Sequence, residues 1–334
     1  MATPGIPQID IAPFLAGDPA GRRRVARRWA EAFETVGFAT ITGHGIPDHL
    51  PDALHAMAGR FFDLPAAVKQ RCTLPGEARS QGYVGVAVEA LANTVGDGGA
   101  PAPPDLCETI TFQHCDWERR GIANAFDRSV FVPNIWPDAP AGFRALVETY
   151  FDRVYDLAQS LMRLGALALE LPEDHFAPFY DRMSTQLRLT NYPDQAAAPL
   201  PGQLRSGAHT DYLGFTILRQ DGAPGGLQVR LPDGGWTDVA PVPGAFVINA
   251  GDLLSRWTNG RWKSNLHRVV NPPRHLGSSA RRISIVFFTG PNHDSLIECL
   301  PTCRSADNPP RYPAVRAWEH FMEKVRASMA TGAY

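Results

Sequence analysis

Three residues in the C-terminal half of the chain could together bind a metal ion. His209 and Asp211 are separated by one residue and precede the apolar segment Leu213–Leu218. Since alternate side chains of an extended chain point to the same face, the imidazole and the carboxylate would project together. His267, in the β-rich segment 264–270, could supply a third ligand from another strand. Two histidines and one carboxylate on one side of a metal leave positions open, which is typical of non-haem Fe(II) sites that use oxygen.

A histidine and an aspartate separated by one residue are not specific for a metal site. A chain with ten histidines is expected to contain about one such pair by chance, the usual risk with short motifs. The same spacing recurs at His114 and Asp116, where a polar Trp-Glu-Arg-Arg-Gly segment follows instead of an apolar strand. The apolar context favours positions 209, 211 and 267. The alternative is that these histidines are exposed or have ordinary hydrogen-bond partners.

A cation and a hydroxyl group lie at the start of the most apolar strand predicted in the C-terminal half. Arg282 and Ser284 alternate with Ile283 and would therefore share one face of that strand. A buried guanidinium is costly unless it meets an anion, and its planar donor fork beside a hydroxyl matches a carboxylate. The pair therefore predicts a carboxylate-binding site. The alternative is an internal ion pair of Arg282, with Asp252 as the obvious partner.

Composition and charge exclude several classes of protein. The 334 residues suffice for one large domain or two smaller ones, and 44% apolar with 20% charged residues is an ordinary globular mixture. Since 32 basic residues face 34 acidic ones, no basic excess is available for nucleic-acid binding. No apolar run approaches the roughly 18 residues of a membrane span, and the N-terminus lacks a secretory pattern. Five cysteines, an odd number, argue against a disulfide scaffold, so we expect a cytoplasmic protein that binds neither nucleic acid nor membrane.

Helices are predicted on both sides of the region that contains the candidate residues. Asp18 and Pro19 have the residue types of a helix cap and a first helical turn. Apolar residues then recur every three or four positions in several segments, the period of an amphipathic helix. The predicted elements are a helix after Pro19, a strand at 38–42, a helix over 47–62, a helix over about 141–171 and a final helix carrying Val315, Trp318, Met322 and Val325.

Between the last two helices the pattern changes to short β-rich runs separated by Gly and Pro. Such runs are typical of an antiparallel sandwich or barrel. We therefore predict an α+β protein with a mainly β core, framed by helices, that contains both His209 and His267. The runs are 185–190, 213–219, 226–231, 235–239, 245–249, 264–270 and 281–289.

Motifs from both halves of the chain form an ordered series over residues 7 to about 290. The N-terminal part comprises Gly37-Phe38, Gly43-His44-Gly45-Ile46, Phe61–Pro65 with Lys69, Gln81-Gly82-Tyr83 and the segment 104–108. The C-terminal part comprises Asn191-Tyr192-Pro193, His209-Thr210-Asp211, the segments 225–229, 249–252 and 258–260, His267–Val269 and Arg282-Ile283-Ser284. Together these motifs resemble the Fe(II)/2-oxoglutarate oxygenases, in the branch that includes isopenicillin N synthase.

The resemblance implies a double-stranded β-helix (jelly-roll) core with a catalytic Fe(II) ion held by His209, Asp211 and His267. It implies O2 as the oxidant and 2-oxoglutarate as the co-substrate. Halogenating relatives have a small residue in place of the metal-binding carboxylate. Asp211 therefore favours hydroxylation, desaturation or ring closure.

The resemblance also implies a binding site for the carboxylate of 2-oxoglutarate. Arg282 and Ser284 match the family's carboxylate-binding pair, and Tyr192 matches a sheet tyrosine that helps to hold the co-substrate. Many relatives have Asn two places before this tyrosine, whereas Thr190 stands here and Asn191 intervenes. The polar contact that the family's Asn makes is therefore not assigned to Thr190 of this chain.

The expected organisation has four consecutive parts. Residues 1–120 form the N-terminal helical and strand region of the family, and 121–180 contain the long framing helix. Residues 181–300 form the jelly-roll core for Fe(II) and 2-oxoglutarate, and 301–334 form the C-terminal helix and tail.

The expected activity is oxidation of an unactivated C–H bond in a small molecule. High Ala, Arg and Pro usage points to a GC-rich bacterial genome and to secondary metabolism, such as antibiotic biosynthesis. One alternative is an iron oxidase of the same fold that uses no 2-oxoglutarate, as isopenicillin N synthase does, with Arg282 and Ser284 binding a substrate carboxylate. Another is a non-catalytic jelly-roll binding protein. The sequence does not indicate the oligomeric state.

Several further side chains have an expected place. Arg188, four positions before Tyr192, is the candidate for a polar contact to the substrate, and the loop 93–104 is either a lid or a surface insertion. His44 is expected to be structural and His293 to lie in an exposed loop. The aromatic residues expected in the core rather than at the substrate are Trp257, Phe215 and Phe288.

Overall fold

The computed structural model describes residues 5–76, 81–95, 101–113, 117, 121, 124–195 and 197–329. The rival pair His114 and Asp116 lies outside these residues, as does part of the loop 93–104. The helices are α1 (Ala12–Leu15), α2 (Pro19–Thr35), α3 (His49–Phe62), α4 (Ala66–Lys69), α5 (Ala125–Val130), α6 (Phe143–Ala168), α7 (Ala177–Tyr180), α8 (Asp252–Trp257) and α9 (Ala317–Ser328). Within the described ranges, none of them combines the length and apolar character needed to cross a bilayer.

The strands form two larger sheets and one small one. The major sheet has eight strands in the order β1-β2-β10-β7-β12-β5-β4-β3, and the minor sheet has four in the order β6-β11-β8-β9. All pairs between these strands are antiparallel except β1 with β2. The strands are β1 (Gln8–Asp10), β2 (Phe38–Thr42), β3 (Gly82–Val84), β4 (Glu108–Gln113), β5 (Ser184–Tyr192), β6 (Ser206–His209), β7 (Phe215–Gln220), β8 (Leu227–Arg230), β9 (Trp236–Asp238), β10 (Phe246–Ala250), β11 (His267–Val269), β12 (Arg282–Gly290), β13 (Leu296–Ile297) and β14 (Val315–Arg316). The predicted α+β class with a mainly antiparallel core is confirmed.

The major sheet alternates between side chains that face the helices and side chains that face the minor sheet. On β12, Ile283, Ile285 and Phe287 belong to the same apolar core as α2, α3 and α6. Phe287 packs on Phe151 of α6, with ring centroids 5.1 Å apart. The intervening residues of β12, from Arg282 to Phe288, face a cavity between the two sheets. The helices thus cover one face of the sheet and leave the other for a site.

Helix α2 has the predicted start and end. The Asp18 carboxylate accepts hydrogen bonds from the backbone N–H groups of Ala20 and Gly21, which caps the helix. After the helix, Gly37 has φ 76°, and a Cβ at this position would meet the carbonyl oxygen of Lys263 at 2.1 Å. Only glycine therefore fits where the chain turns into β2.

Some elements differ from the sequence-based expectation. The residue pattern does not predict β3, β4 or β6, because β3 and β6 are short and contain small residues and β4 follows a proline-rich loop. Val315 lies in β14 rather than in the last helix, which begins at Ala317. The predicted long helix is shorter at both ends, since α6 spans Phe143–Ala168.

The aromatic contact between α2 and the major sheet allows a test of this packing. Phe33 is fully buried, and its ring lies 5.2 Å from that of Phe215 and 5.6 Å from that of Trp262. Phe33→Ala should lower the free energy of unfolding by about 3–5 kcal/mol, because it removes a ring and leaves a cavity. Phe33→Leu should cost clearly less. Urea unfolding of the two variants measures both values, and a loss below about 1 kcal/mol for Phe33→Ala would contradict this packing.

Candidate metal centre

The structure brings His209, Asp211 and His267 together in the cavity between the sheets. Oδ1 of Asp211 lies 3.8 Å from Nε2 of His209 and 3.7 Å from Nε2 of His267. The potential ligand atoms of the three residues all lie within 4.8 Å of one another, and all three residues are buried. Among the described residues, no other group of three or more His, Cys, Asp or Glu side chains has this geometry.

Strand pairing explains why residues so distant in sequence meet here. In the antiparallel pair β6–β11, His209 lies directly opposite His267. Side chains of directly opposite residues lie on the same face, and the two ring centroids are 4.3 Å apart. Asp211 follows His209 by two residues and returns to that face, as the alternation of an extended chain predicts.

Backbone carbonyl groups set the orientation of both imidazoles. Nδ1 of His209 lies 2.8 Å from the carbonyl oxygen of Gly207, and Nδ1 of His267 lies 3.1 Å from that of Asn265. Since a carbonyl oxygen can only accept, each Nδ1 carries the hydrogen, and in the neutral ring each Nε2 is left with the lone pair that a metal ion needs. A metal-binding histidine is held in this way by its second nitrogen.

In the part of the chain that the structure describes, side-chain hydrogen bonds hold the Asp211 carboxylate through one oxygen, Oδ2. Its Oδ2 accepts a hydrogen bond from Nδ2 of Asn249 at 2.6 Å and another from Oγ1 of Thr216. Oδ1 is left to face the two histidines. Sequence reasoning assigned no role to Thr216 or Asn249, although each is a polar residue between two apolar residues of its strand.

The charges of the three groups suit a divalent cation. Burial and then the proximity of His267 lower the pKa of His209 to about 4, so this imidazole is neutral at pH 7. Burial on its own would raise the pKa of Asp211. The electrostatic influence of the neighbouring His267 and His209 outweighs burial, together with the hydrogen bonds from Asn249 and Thr216. The pKa of Asp211 is therefore lowered. Neutral imidazole and ionised carboxylate are the forms that bind iron.

The predicted carboxylate-binding residues line the same cavity, which we call the inner cavity. It contains the three candidate ligands together with Arg282, Ser284 and Tyr192. On the paired strands β12 and β5, Arg282 lies opposite Tyr192, and Ser284 lies opposite Thr190. Thr190, at the position where relatives have Asn, also faces the cavity.

Arg282 has an acidic neighbour, but not the expected one. Its Nη1 lies 3.3 Å from Oδ1 of Asp221, and its Nη2 donates to Oε1 of Gln220 at 2.9 Å. The alternative partner Asp252 is wrong, because its carboxylate contacts Lys324 of α9 at 2.8 Å. Nε of Arg282 is buried and has no hydrogen-bond acceptor among the described residues. A buried donor without a partner is a reason to expect an anionic ligand here.

A second space, the outer cavity, adjoins the triad on the side of α9. Its wall includes His209, Asp211, Arg188 and Phe288, which also line the inner cavity, and Phe321 and Val325 of α9. Arg188 faces this space and pairs with the buried Glu89, with Nη1 at 3.2 Å from Oε2. Phe288 lines both cavities, so the expectation that it belongs to the core is wrong. Strand alternation places it on the inward face, opposite to Phe287.

Of the remaining expectations for histidine and aromatic residues, one is wrong and three agree with the structure. His293 is buried rather than exposed, because it lies beneath Trp318 of α9, with ring centroids 4.9 Å apart. Its Nε2 lies 2.9 Å from Oγ of Ser184. Trp257 and Phe215 are core residues as expected. His44 has a structural contact, since its Nε2 lies 2.7 Å from the carbonyl oxygen of Gly244.

Two sequence families match this chain. Residues 184–291 match the 2OG-Fe(II) oxygenase superfamily, and residues 6–139 match the N-terminal region of non-haem dioxygenases in morphine synthesis. A 2-oxoglutarate-Fe(II) type oxidoreductase of Emericella nidulans is 34% identical, over 94% of this chain and 88% of the relative. A homoarginine-6-hydroxylase of Oryza sativa subsp. japonica is 32% identical, over 96% of each chain.

The fold also matches solved structures. The crystal structure of a full-length Neurospora crassa protein in complex with α-ketoglutarate and thymine superposes with a TM-score of 0.83. The two chains are 31% identical, and the match covers 96% of each. This likeness to an α-ketoglutarate-bound relative confirms the predicted jelly-roll fold.

The hydrogen bond from Asn249 to Asp211 predicts a loss of metal affinity when it is removed. In Asn249→Ala, the carboxylate keeps one donor and is free to rotate, so the affinity for Fe(II) should fall about 10–100-fold. Asn191→Ala is the matched control. Asn191 is a buried asparagine of β5 that donates to Glu108 at 2.8 Å on the other face of the strand. Anaerobic titration with Fe(II) measures both affinities, and equal values would contradict this role of Asn249.

Proposed function

The chain belongs to the 2-oxoglutarate–Fe(II) oxygenase superfamily, and we propose that it oxidises an unactivated C–H bond of a small polar molecule. It is a dioxygenase that depends on Fe(II), 2-oxoglutarate and O2. One observation carries the proposal. Nε2 of His209, Nε2 of His267 and Oδ1 of Asp211 converge in a cavity whose wall also holds Arg282.

We assign Fe(II) to His209, Asp211 and His267. The donor set supports this, because two imidazoles and one carboxylate suit non-haem iron and leave positions for further ligands. The bound metal and co-substrate supply the oxidising chemistry, in which 2-oxoglutarate is converted to succinate and carbon dioxide. The protein holds the three side chains in place before the metal binds, through Asn249, Thr216 and the backbone carbonyl groups.

We assign the carboxylate of 2-oxoglutarate to Arg282 and Ser284, with Tyr192 beside them. The buried Nε of Arg282 supports this assignment, since it would gain the acceptor that the described residues do not provide. Asp221 and Gln220 hold the other nitrogens and orient the guanidinium. This pre-orientation lowers the entropy lost on binding.

For the substrate, the outer cavity supports a compact polar molecule with one apolar face. Arg188 and Glu89 offer one group of each charge, and Phe288 and Phe321 offer aromatic rings. The contact of Arg188 with substrate, expected from the sequence, remains part of the proposal. Since one relative is named for homoarginine hydroxylation and another is solved with thymine, L-homoarginine and thymine are the first compounds to test. Asp211 favours hydroxylation, desaturation or ring closure.

The metabolic role and the cellular location of the protein are also proposals. A role in bacterial secondary metabolism is based on composition alone, since the relatives named above come from fungi and a plant. The cytoplasmic location rests on the cysteine usage. The division into parts 1–120, 121–180, 181–300 and 301–334 likewise stays a prediction.

Dependence on 2-oxoglutarate can be tested without knowing the substrate. Anaerobic addition of Fe(II) and 2-oxoglutarate should produce the weak visible charge-transfer absorption of an iron–keto acid complex. Admission of air should then release succinate slowly even without substrate. Arg282→Lys should raise the apparent Kd for 2-oxoglutarate at least about tenfold, because Lys has no planar donor fork. No absorption and no succinate would instead favour an oxidase that uses no keto acid.

Removal of one candidate ligand tests the metal assignment. His209→Ala should abolish stoichiometric Fe(II) binding while circular dichroism and the unfolding midpoint stay close to those of the parent. His49→Ala, at an exposed histidine of α3, is the control and should bind iron normally. Metal analysis of the purified proteins decides the outcome. Full iron content in His209→Ala would rule out this ligand set. It would then favour the alternative of a non-catalytic jelly-roll protein.

A further inference from the structure

A row of directly opposite residues across the major sheet lies beneath the triad. Gln186 of β5 lies opposite Phe288, Phe288 opposite Thr216, and Thr216 opposite Asn249. Thr216 and Asn249 are the two donors to Asp211, so this row marks the level of the metal ligands. Ser184 precedes Gln186 by two residues and therefore lies roughly 7 Å further along the strand.

Ser184 is placed at the substrate side of this row. Tyr192, which lies opposite Arg282, is at the other end of β5. Ser184 is buried and lines the outer cavity, but not the inner one. A substrate that offers a C–H bond to the metal and fills the outer cavity would therefore meet the Ser184 hydroxyl.

Two buried residues orient that hydroxyl, His293 directly and Asp127 through His293. Nε2 of His293 lies 2.9 Å from Oγ of Ser184, and Nδ1 of the same ring lies 3.8 Å from Oδ1 of Asp127. Asp127 is fully buried, and its Oδ2 contacts the guanidinium of Arg182 and accepts the backbone N–H of Asn124. Its position is fixed by the capping box at the start of α5.

The carboxylate selects the tautomer of His293. An imidazole lone pair directed at a carboxylate oxygen would be repelled, whereas an N–H group in that position is attracted. Nδ1 therefore carries the hydrogen. Burial lowers the pKa of His293 to about 4, so the ring is neutral at pH 7 and its Nε2 can only accept. The Ser184 hydroxyl accordingly donates to Nε2 and turns its lone pairs towards the cavity.

We propose that Ser184 is a specificity-determining residue that accepts a hydrogen bond from an N–H or O–H group of the substrate, with His293 and Asp127 as positioning residues. The proposal deepens the proposed function, on which it rests. Ser184 would favour substrates that carry a hydrogen-bond donor on the side away from 2-oxoglutarate. A substrate offering only acceptors there would meet the oxygen lone pairs of Ser184 and be disfavoured.

The tautomer of His293 can be measured without any substrate. Two-bond 1H–15N correlation spectra of the 15N-labelled full chain, loaded with Zn(II) in place of iron and with 2-oxoglutarate, report which ring nitrogen is protonated. His293→Gln assigns the signals. We expect a protonated Nδ1 and an unprotonated Nε2, and a mixture of tautomers in Asp127→Asn. A protonated Nε2, or a doubly protonated ring at pH 7, would overturn the proposal whatever the enzyme's substrate is.

Kinetics with thymine and L-homoarginine as probes test the acceptor role. Both compounds carry N–H donors, and N-methylated thymines lack one or both of them. For a probe that stimulates succinate release, Ser184→Ala should raise KM about three- to tenfold, the effect of one lost hydrogen bond. The kcat, the substrate-free turnover and the Kd for 2-oxoglutarate should stay unchanged. Ser184→Thr should restore KM, because it keeps the hydroxyl.

Thr185→Ala is the matched control, since Thr185 is the buried neighbour on the other face of β5. An unchanged KM in Ser184→Ala, or an equal rise with a fully N-methylated probe, would overturn the acceptor role. If neither probe stimulates turnover, the tautomer measurement decides. Absence of the charge-transfer absorption would count against the proposed function, not against the orientation of Ser184.

Discussion

The two hydrogen bonds to Oδ2 of Asp211 are the interaction on which the site depends. Two imidazoles and a carboxylate are held in a buried space, where polar groups are costly unless they have partners. Asn249 and Thr216 satisfy one carboxylate oxygen, and backbone carbonyl groups satisfy one nitrogen of each imidazole. The remaining atoms, Oδ1 and the two Nε2, face one another. The protein thereby directs the unsatisfied atoms at the position of a metal ion. The hydrogen bonds to the other atoms restrict rotation of the carboxylate and of the two imidazole rings.

Strand alternation allows the same residues to serve both stability and chemistry. Along β12, odd-numbered residues from Ile283 to Phe287 pack against the helices, and even-numbered residues from Arg282 to Phe288 face the cavities. Because the period is two, a shift of the strand by one residue would bury Arg282 among the helices and direct isoleucines at the metal. The apolar contacts of α2, α3 and α6 therefore also specify the register of the site. Stability and function cannot be changed independently here.

The sequence permits prediction of those site residues that follow from local spacing. Alternation alone indicates that His209 and Asp211 share a face, as do Arg282 and Ser284. The β-rich segment 264–270 offers His267 as a third ligand, and the resemblance adds Tyr192. The residues that hold them, such as Thr216, could not be found in this way, because a threonine between two apolar residues looks the same whether or not it contacts a carboxylate. The expectation for His293 was wrong for a related reason. A position after a strand suggests exposure, whereas Trp318 of α9 and Trp117 pack against the ring.

The long strand β5 orders the parts of the site along one line. Tyr192 lies at the end proposed for the co-substrate, Gln186 lies opposite Phe288 in the row that includes Thr216 and Asn249, and Ser184 lies at the end proposed for the substrate. Changes at the first of these levels would affect the binding of 2-oxoglutarate, whereas changes at the last would affect only the molecule that is oxidised. The substrate end is also where α9 closes the outer cavity through Phe321 and Val325. A fold built in this way can therefore change its substrate by varying one end of β5 and the helix packed over it, while the row that holds the metal ligands remains the same.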